Sequence, residues 1–198
     1  MKTIIFIDGR NFIGKINSVL NPEKEKNREV DFSIYNFAGL LDKVLENISI
    51  DKKIFYLGRL TRNNETNEKS IELIQKQRRL KTHLEEQGFE VIYAGRIRGH
   101  KENCPMGHEF LSFKEKGVDV KMAVDMIRLT YTKKLKIAII GSSDSDLQPV
   151  IKELENQKIE RIYLGFEIFP NKGLTYTTNR TILIRNSEIA EFAGKTLL

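Results

Sequence analysis

Short apolar runs alternate with stretches of helical periodicity along most of the chain. Strands are predicted where β-branched and aromatic residues cluster, at residues 2–7, 53–59, 89–95, 135–140, 160–165 and 181–184. Apolar spacing of three and four predicts helices at 12–20, 33–47, 68–87, 118–131 and 147–156, with a short one from Ser187. Asn11 is a candidate cap for the first helix, and Asp31 or Ser33 for the second. Alternating strands and helices form βαβ units, so an α/β fold with a mostly parallel sheet between two helical layers is expected.

Two stretches interrupt this alternation. Residues 21–30 are dense in charge, which predicts a solvated loop. Residues 96–116 are basic, contain Pro105 and show no clear period, which predicts either a long functional loop or an inserted hairpin. No repeat or linker divides the chain, so residues 1–198 are read as one domain, with 166–198 as a C-terminal extension.

Composition narrows the functional classes. No apolar run approaches the ~20 residues of a membrane helix, and the N-terminal run is short and ends in Asp8, which favours a strand over an export signal. The single cysteine, Cys104, allows no internal disulfide and agrees with a reducing cytoplasm. A net charge of +6 and a pI near 9.3 favour a polyanionic partner, with nucleic acid first among them.

Acidic residues follow several of the predicted strands. The sequence Gly141-Ser-Ser-Asp-Ser-Asp146 comes directly after an apolar strand and before a helix, and Asp8 ends the first strand. Asp119 lies in the first turn of the helix that leads into the fourth strand. In an open parallel sheet these positions meet at one edge, next to the point where the winding direction reverses. Asp8, Asp119, Asp144 and Asp146 are therefore expected to share one pocket.

Clustered carboxylates repel one another, and a hard divalent cation offsets that repulsion. One or two Mg²⁺ or Mn²⁺ ions held there would activate water and stabilise charge during phosphodiester hydrolysis. The alternative is that each aspartate only caps its own helix.

Four polar residues flank these acids. Asn11, Ser142 and Ser143 are candidates to hold a phosphate or a metal-associated water, or else to cap helices. Asp125 falls on the same helical stripe as apolar residues and is expected to be partly buried, where it supports the site through a lysine, a serine or Asn11, or has a purely structural role.

Basic residues stand at or beyond the predicted strand ends. An RNA track is predicted from Arg10, Arg59, Arg62, Arg96, Arg98, Lys101 and Lys116. His100, Cys104 and His108 have metal-ligand side chains, but they supply only three ligands and lack the usual four-ligand zinc spacing. A zinc site is therefore not the favoured interpretation of this segment.

Three motifs in this order resemble the NYN domain family, in its LabA-like branch of the PIN-like ribonucleases. They are Phe6-Ile-Asp-Gly-Arg-Asn11, Lys116-Gly-Val-Asp-Val120 with Asp125, and the 141–146 sequence, and the resemblance spans residues 1–165. It implies a Rossmann-like αβα sandwich and a Mg²⁺- or Mn²⁺-dependent endoribonuclease. By position Asp8, Asp119, Asp144 and Asp146 match the family's acidic cluster, and Asn11 and Asp125 match its flanking polar positions. Ser143 departs from the pattern, because many relatives carry Gly or Asp there.

The favoured hypothesis is thus a metal-dependent ribonuclease that acts on RNA in the cytoplasm without a membrane anchor. Two alternatives stay open: a non-catalytic module of the same fold that binds RNA or protein, and a small Mg²⁺-dependent phosphatase. The phosphatase is disfavoured because the first strand is followed by Asp8-Gly-Arg rather than Asp-x-Asp. Homo-oligomerisation is also left open.

Overall fold

A computed structural model describes residues 1–23, 30–62, 67–104 and 106–194. Within these ranges the strands are β1 (Lys2–Asp8), β2 (Lys52–Leu60), β3 (Phe89–Asn103), β4 (Glu109–Lys116), β5 (Leu135–Gly141), β6 (Glu160–Phe166) and β7 (Arg180–Ile184). They form one sheet in the order β4-β3-β2-β1-β5-β6-β7. All neighbouring strands run parallel except β3 and β4, which are antiparallel. The mostly parallel sheet is as predicted.

Helices cover both faces of the sheet. They are α1 (Gly9–Leu20), α2 (Phe37–Val44), α3 (Asn67–Glu86), α4 (Val118–Tyr131), α5 (Gln148–Asn156), α6 (Lys172–Thr177) and α7 (Asn186–Glu191). The first three and α7 pack on one face, and α4, α5 and α6 pack on the other, which confirms the three-layer αβα sandwich. In the described part of the chain, no helix combines the length and apolar character required to cross a bilayer.

Two apolar cores, one on each face, fix the sheet between its helices. On the first face Phe12 and Leu40 pack with sheet residues such as Phe55. On the second face Met122 and Ile151 pack with the other side of the strands. Full burial of each such side chain stabilises the fold by about 1.5–3 kcal/mol, so the strand ends are held by a rigid scaffold.

The chain reverses its winding direction between β1 and β5. After β1 it builds outward through β2, β3 and β4, and α4 then carries it back so that β5 pairs with the other side of β1. In that pairing Ile7 lies opposite Gly141, so the segments after Asp8 and after Gly141 leave the sheet side by side. The adjacency predicted for these two strands is confirmed.

Of the two predicted alternatives for residues 96–116, a long loop or an inserted hairpin, the structure shows the hairpin. Pro105 lies outside the described residues. β3 continues beyond its predicted end at residue 95, and β4 pairs back along it from Asn103↔Glu109 to Arg96↔Lys116. At Gly95 the backbone φ is +60°, and a side chain there would collide with the Lys116 carbonyl oxygen. Only glycine fits this position, and it allows the hairpin to deliver the chain to the start of α4.

Several predicted element limits differ from the structure. Asp8, not Asn11, caps the first helix, and Asn36, not Asp31 or Ser33, caps the second, which therefore begins at Phe37. The Asp31 carboxylate instead accepts hydrogen bonds within its own turn from Ser33. Helix α6 was not predicted, because Leu174 is its one buried residue and its sequence shows no apolar period. Most of the predicted 21–30 loop, residues 24–29, lies outside the described residues.

Candidate metal centre

Three aspartates from two distant stretches of the chain meet at the carboxyl edge of the sheet. One carboxylate oxygen each from Asp119, Asp144 and Asp146 lies within 4.8 Å of the other two. Among the described residues this is the one group of three or more potential metal ligands so arranged. Mg²⁺ binds oxygen at about 2.0–2.1 Å, so small side-chain rotations would bring all three oxygens around one ion. The donor set, oxygen alone, fits a hard divalent cation.

Local backbone structure presents each of these carboxylates. Gly117, with φ +87°, turns the chain into α4 and places Asp119 in the first helical turn. The Asp144 Oδ1 atom accepts a hydrogen bond of 2.9 Å from the Asp146 backbone N–H and so caps a single 3₁₀ turn, Ser145–Leu147. Capping and clustering therefore coexist: Asp144 fixes the turn while its carboxylate remains part of the triad.

Asp8 lies beside this triad but is more deeply buried, with only 7% of its surface exposed. Its Oδ1 accepts from the Asn11 N–H at 3.1 Å, and its Oδ2 accepts from the Ser142 hydroxyl at 3.4 Å. Burial raises the pKa of Asp8, the two hydrogen bonds oppose this, and the charges of Asp144 and Asp119 add to the rise. Asp8 does not belong to the group whose oxygens meet within 4.8 Å, so its role as a metal ligand stays a prediction.

Two asparagines hold the acidic loop from opposite sides. The Asn11 Oδ1 atom accepts from the Ser143 N–H at 3.0 Å, and the Asn171 Nδ2 group donates to the Ser143 carbonyl at 2.9 Å. Ser142 braces the same loop, because its oxygen accepts from the Asp144 N–H at 3.1 Å. Asn171 follows β6 and was not predicted; a signal was its position directly after Pro170, where it caps α6.

Glu115 is a fifth carboxylate at this edge that the sequence analysis did not single out. It is the penultimate residue of β4 and lines the same pocket as Asp8, Asp119 and Asp144. Burial raises the pKa of Glu115 most, the negative charge of Asp8 raises it further, and Arg10 lowers it. A side chain at Gly58 would collide with the Glu115 carboxylate, so this glycine makes room for it.

The family model of the NYN domain matches residues 2–183. This chain belongs to the NYN domain family. Members of that family are generally PIN-like nucleases that use divalent metals, which agrees with the oxygen donor set. The match covers all seven described strands except the last residue of β7.

A protein of unknown function from Vibrio parahaemolyticus RIMD 2210633, VPA0982, has a similar structure. The two share 15% sequence identity over 92% of this chain and 93% of the other, with a TM-score of 0.56. At this level of identity the likeness concerns the fold alone. No curated protein sequence matches the chain.

In this NYN domain Asp125 is 1% exposed and has three partners. Its carboxylate pairs with Lys121 at 2.6 Å and Arg128 at 3.2 Å, and accepts from the Tyr56 hydroxyl at 3.2 Å. The lysine among its predicted partners is present, whereas Asn11 bonds elsewhere. Asp125 thereby joins α4 to β2, and a buried charge with these partners holds the helix that carries Asp119.

The predicted RNA-binding cations divide into two groups. Arg10 and Lys116 line the acidic pocket, a cavity of about 370 Å³, and Lys116 also lines a second cavity with Arg96 and Arg98. Lys101 lines this second cavity too and pairs with Glu109. The last two candidates line neither cavity: Arg59 lies 5.9 Å from the Tyr93 ring centre, and Arg62 borders residues 63–66, which are not described.

No zinc-type cluster forms from His100, Cys104 and His108 among the described residues. Cys104 instead takes part in the turn of the hairpin, where its N–H donates to the His108 carbonyl at 2.9 Å. The disfavoured zinc interpretation thus receives no support from the geometry.

Replacing the buried Asp8 charge should stabilise the metal-free protein at neutral pH. Because the folded-state pKa of Asp8 is raised, the contribution of this residue to stability is fully present below its unfolded pKa near 3.8. That contribution is lost as the pH rises through the folded-state pKa. Asp8→Asn keeps an acceptor for the Asn11 N–H and removes the charge. We expect a higher melting temperature than wild type at pH 7 in EDTA and no gain below pH 3.8.

Asp31→Asn is the matched control of opposite sign, because hydrogen bonds from Ser33 lower the pKa of Asp31. Its contribution to stability is present above the unfolded pKa and is lost as pH falls, so this variant should not gain stability at pH 7. An Asp8→Asn protein that melts lower than wild type at pH 7 would contradict the conclusion that the buried Asp8 charge destabilises the metal-free fold.

Proposed function

We propose that this NYN domain is a metal-dependent endoribonuclease of the LabA-like branch. The observation that carries the proposal is the meeting of Asp119, Asp144 and Asp146 at the switch point of the sheet. Asp144 and Asp146 share one loop, where capping of a turn accounts for their proximity, but Asp119 comes from α4 and no capping interaction with that loop explains its position beside them. Divalent metal use is a property of the family, and Mg²⁺ and Mn²⁺ are the ions we propose here.

The proposed roles follow from the burial and contacts of each side chain. Asp119, Asp144 and Asp146 would hold the ion, with Asp8 as a fourth acidic group behind them. A divalent ion bound there would supply charge neutralisation and an activated water for attack on the phosphodiester. Asn11, Ser142 and Ser143 fix the loop that carries two of the ligands, and Asn171 is a positioning residue in the same network.

We further propose that RNA runs along one face of the β3–β4 hairpin. This basic face consists of Arg96, Arg98, Lys114 and Lys116, and Lys116 joins it to the acidic pocket. Arg96 lies directly opposite Lys116, and Arg98 opposite Lys114. Glu102 pairs with Lys114 at 2.6 Å and offsets part of the repulsion between these like charges. A phosphate backbone would neutralise the remaining cations of the face.

Residues 1–198 are proposed to act as one cytoplasmic domain in which the hairpin and the 166–198 extension are parts of the nuclease. A second copy of the chain is a further possible partner, and the molar mass in solution tests whether the protein forms a homo-oligomer. A non-catalytic RNA- or protein-binding module is the competing function, and cleavage and binding assays distinguish it.

Removal of one triad carboxylate should abolish RNA cleavage without unfolding the protein. Asp144→Asn keeps an oxygen for the Asp146 N–H but removes a charged ligand, so cleavage in Mg²⁺ or Mn²⁺ should fall at least about 100-fold. Asp42→Asn, at an exposed position on α2, is the matched control and should cleave like wild type. The assay uses single-stranded and structured RNA, with circular dichroism to verify folding.

Equal activity of Asp144→Asn and wild type would remove the catalytic assignment. Wild-type protein that binds RNA in EDTA with salt sensitivity, but never cleaves it with metal, would favour the competing binding module.

Removal of two cations from the basic face should weaken RNA binding mainly through electrostatics. For the variant Arg96→Ala with Arg98→Ala, the slope of log Kd against log salt should decrease by about 0.7 for each phosphate of single-stranded RNA that the protein no longer neutralises. Lys134→Ala, which removes a cation at the opposite end of the sheet, should leave the slope unchanged. An unchanged slope in the double variant would exclude this track.

A further inference from the structure

A groove of about 780 Å³ adjoins the acidic pocket on the first face of the sheet. It is larger than the acidic pocket itself, and the two cavities have Arg10 and Glu115 in common. Whatever enters the groove therefore lies directly beside the proposed metal centre.

The walls of the groove are chiefly apolar. Half-buried side chains of Ile13, Leu60, Leu73, Ile97 and Phe113 line it. Phe113 and Glu115 are two residues apart on β4 and so face the same side of the hairpin, separated by about 7 Å at 3.4 Å per residue. The aromatic side chain of Phe113 thus lies next to the acidic pocket that Glu115 lines.

Polar side chains of α1 also line the groove. Arg10 and Asn17 both line the groove. Among the described residues neither side chain makes a hydrogen bond or an ion pair within 4 Å, although the Arg10 charge acts on the nearby Glu115 carboxylate. Gln77 differs, because its amide donates to the Gly58 carbonyl at 2.7 Å and accepts from the Leu60 N–H. A cation near the acids and a free amide farther along α1 leave an apolar stretch between them.

We propose that this groove binds a single unpaired nucleobase of the RNA substrate. The proposal rests on the proposed function, because it assigns the groove to the nucleotide next to the phosphate at the metal centre. A nucleobase has two flat apolar faces and a polar edge, which match apolar walls and the Asn17 amide. Arg10, shared by both cavities, would contact the intervening phosphate or sugar. A base in a duplex is not free to enter, so the inference selects single-stranded substrates over duplexes.

Gly14 provides a way to fill the groove without harming the fold. It lies on α1, lines the groove, and a Cβ added there meets nothing within 4 Å. Leucine has a better helix propensity than glycine, so Gly14→Leu should not lower the melting temperature. Gln75→Leu, a neutral exchange at an exposed position of α3 that does not line the groove, is the matched control.

The test compares adenosine 5′-monophosphate with ribose 5-phosphate, which has the same phosphate and sugar but no base. Binding is measured calorimetrically in Mg²⁺, and neither ligand contains an internucleotide bond to cleave. Wild type and Gln75→Leu should bind the nucleotide roughly tenfold more tightly than the sugar phosphate, a ratio typical of one well-packed base. Gly14→Leu should bring the ratio close to one and leave the affinity for ribose 5-phosphate unchanged.

Three results would each overturn the base site. They are equal wild-type affinity for the two ligands, no measurable nucleotide binding at millimolar concentration, and a ratio of the two affinities that Gly14→Leu does not change. These outcomes are separate from the fate of the nuclease proposal. A protein that cleaves RNA but binds the nucleotide no more tightly than the sugar phosphate would retain the nuclease proposal and lose the base site. A protein that binds the nucleotide more tightly but does not cleave RNA would retain the groove as a binding site.

Discussion

Repulsion among carboxylates is the constraint around which this molecule is organised. Asp8, Glu115, Asp119 and Asp144 line one pocket, and Asp146 extends the cluster toward solvent. Burial is the main cause of the raised pKa values of Asp8 and Glu115, and the negative charges of neighbouring carboxylates raise both further. Two apolar cores and a closed network of loop hydrogen bonds hold the groups together against it, and a divalent cation would convert the repulsion into binding free energy.

The β3–β4 hairpin connects this acidic centre to two very different surfaces. Its basic face carries Arg96, Arg98, Lys114 and Lys116, and its opposite face carries Ile97, Phe113 and Glu115 toward the apolar groove. Alternation of side chains along a strand creates this division. A phosphate track and a base site could therefore converge on one metal centre from the two faces of one hairpin, each with its own chemical selectivity.

Much of the architecture was predictable because its signals are local. Apolar runs and helical periods marked every parallel strand and all the longer helices, and the adjacency of Asp8 and the 141–146 loop followed from the winding rule of open sheets. The β4 strand could not be predicted with the same ease, because charged residues on both of its faces hide the alternation of polar and apolar positions. Glu115 was missed because nothing in the local sequence shows that a glycine at position 58, far along the chain, leaves room for its carboxylate. The role of Asn171 and the hydrogen bond from Tyr56 to Asp125 likewise depend on contacts between distant residues.

The central claim is that Asp119, Asp144 and Asp146 bind one divalent cation together. Anomalous diffraction from crystals soaked in Mn²⁺ tests it most directly, because the ion is located independently of any activity. The account predicts a peak at about 2.0–2.2 Å from an oxygen of each carboxylate. Well-ordered crystals in which the triad has no peak at saturating Mn²⁺, or in which the ion binds elsewhere, would contradict it.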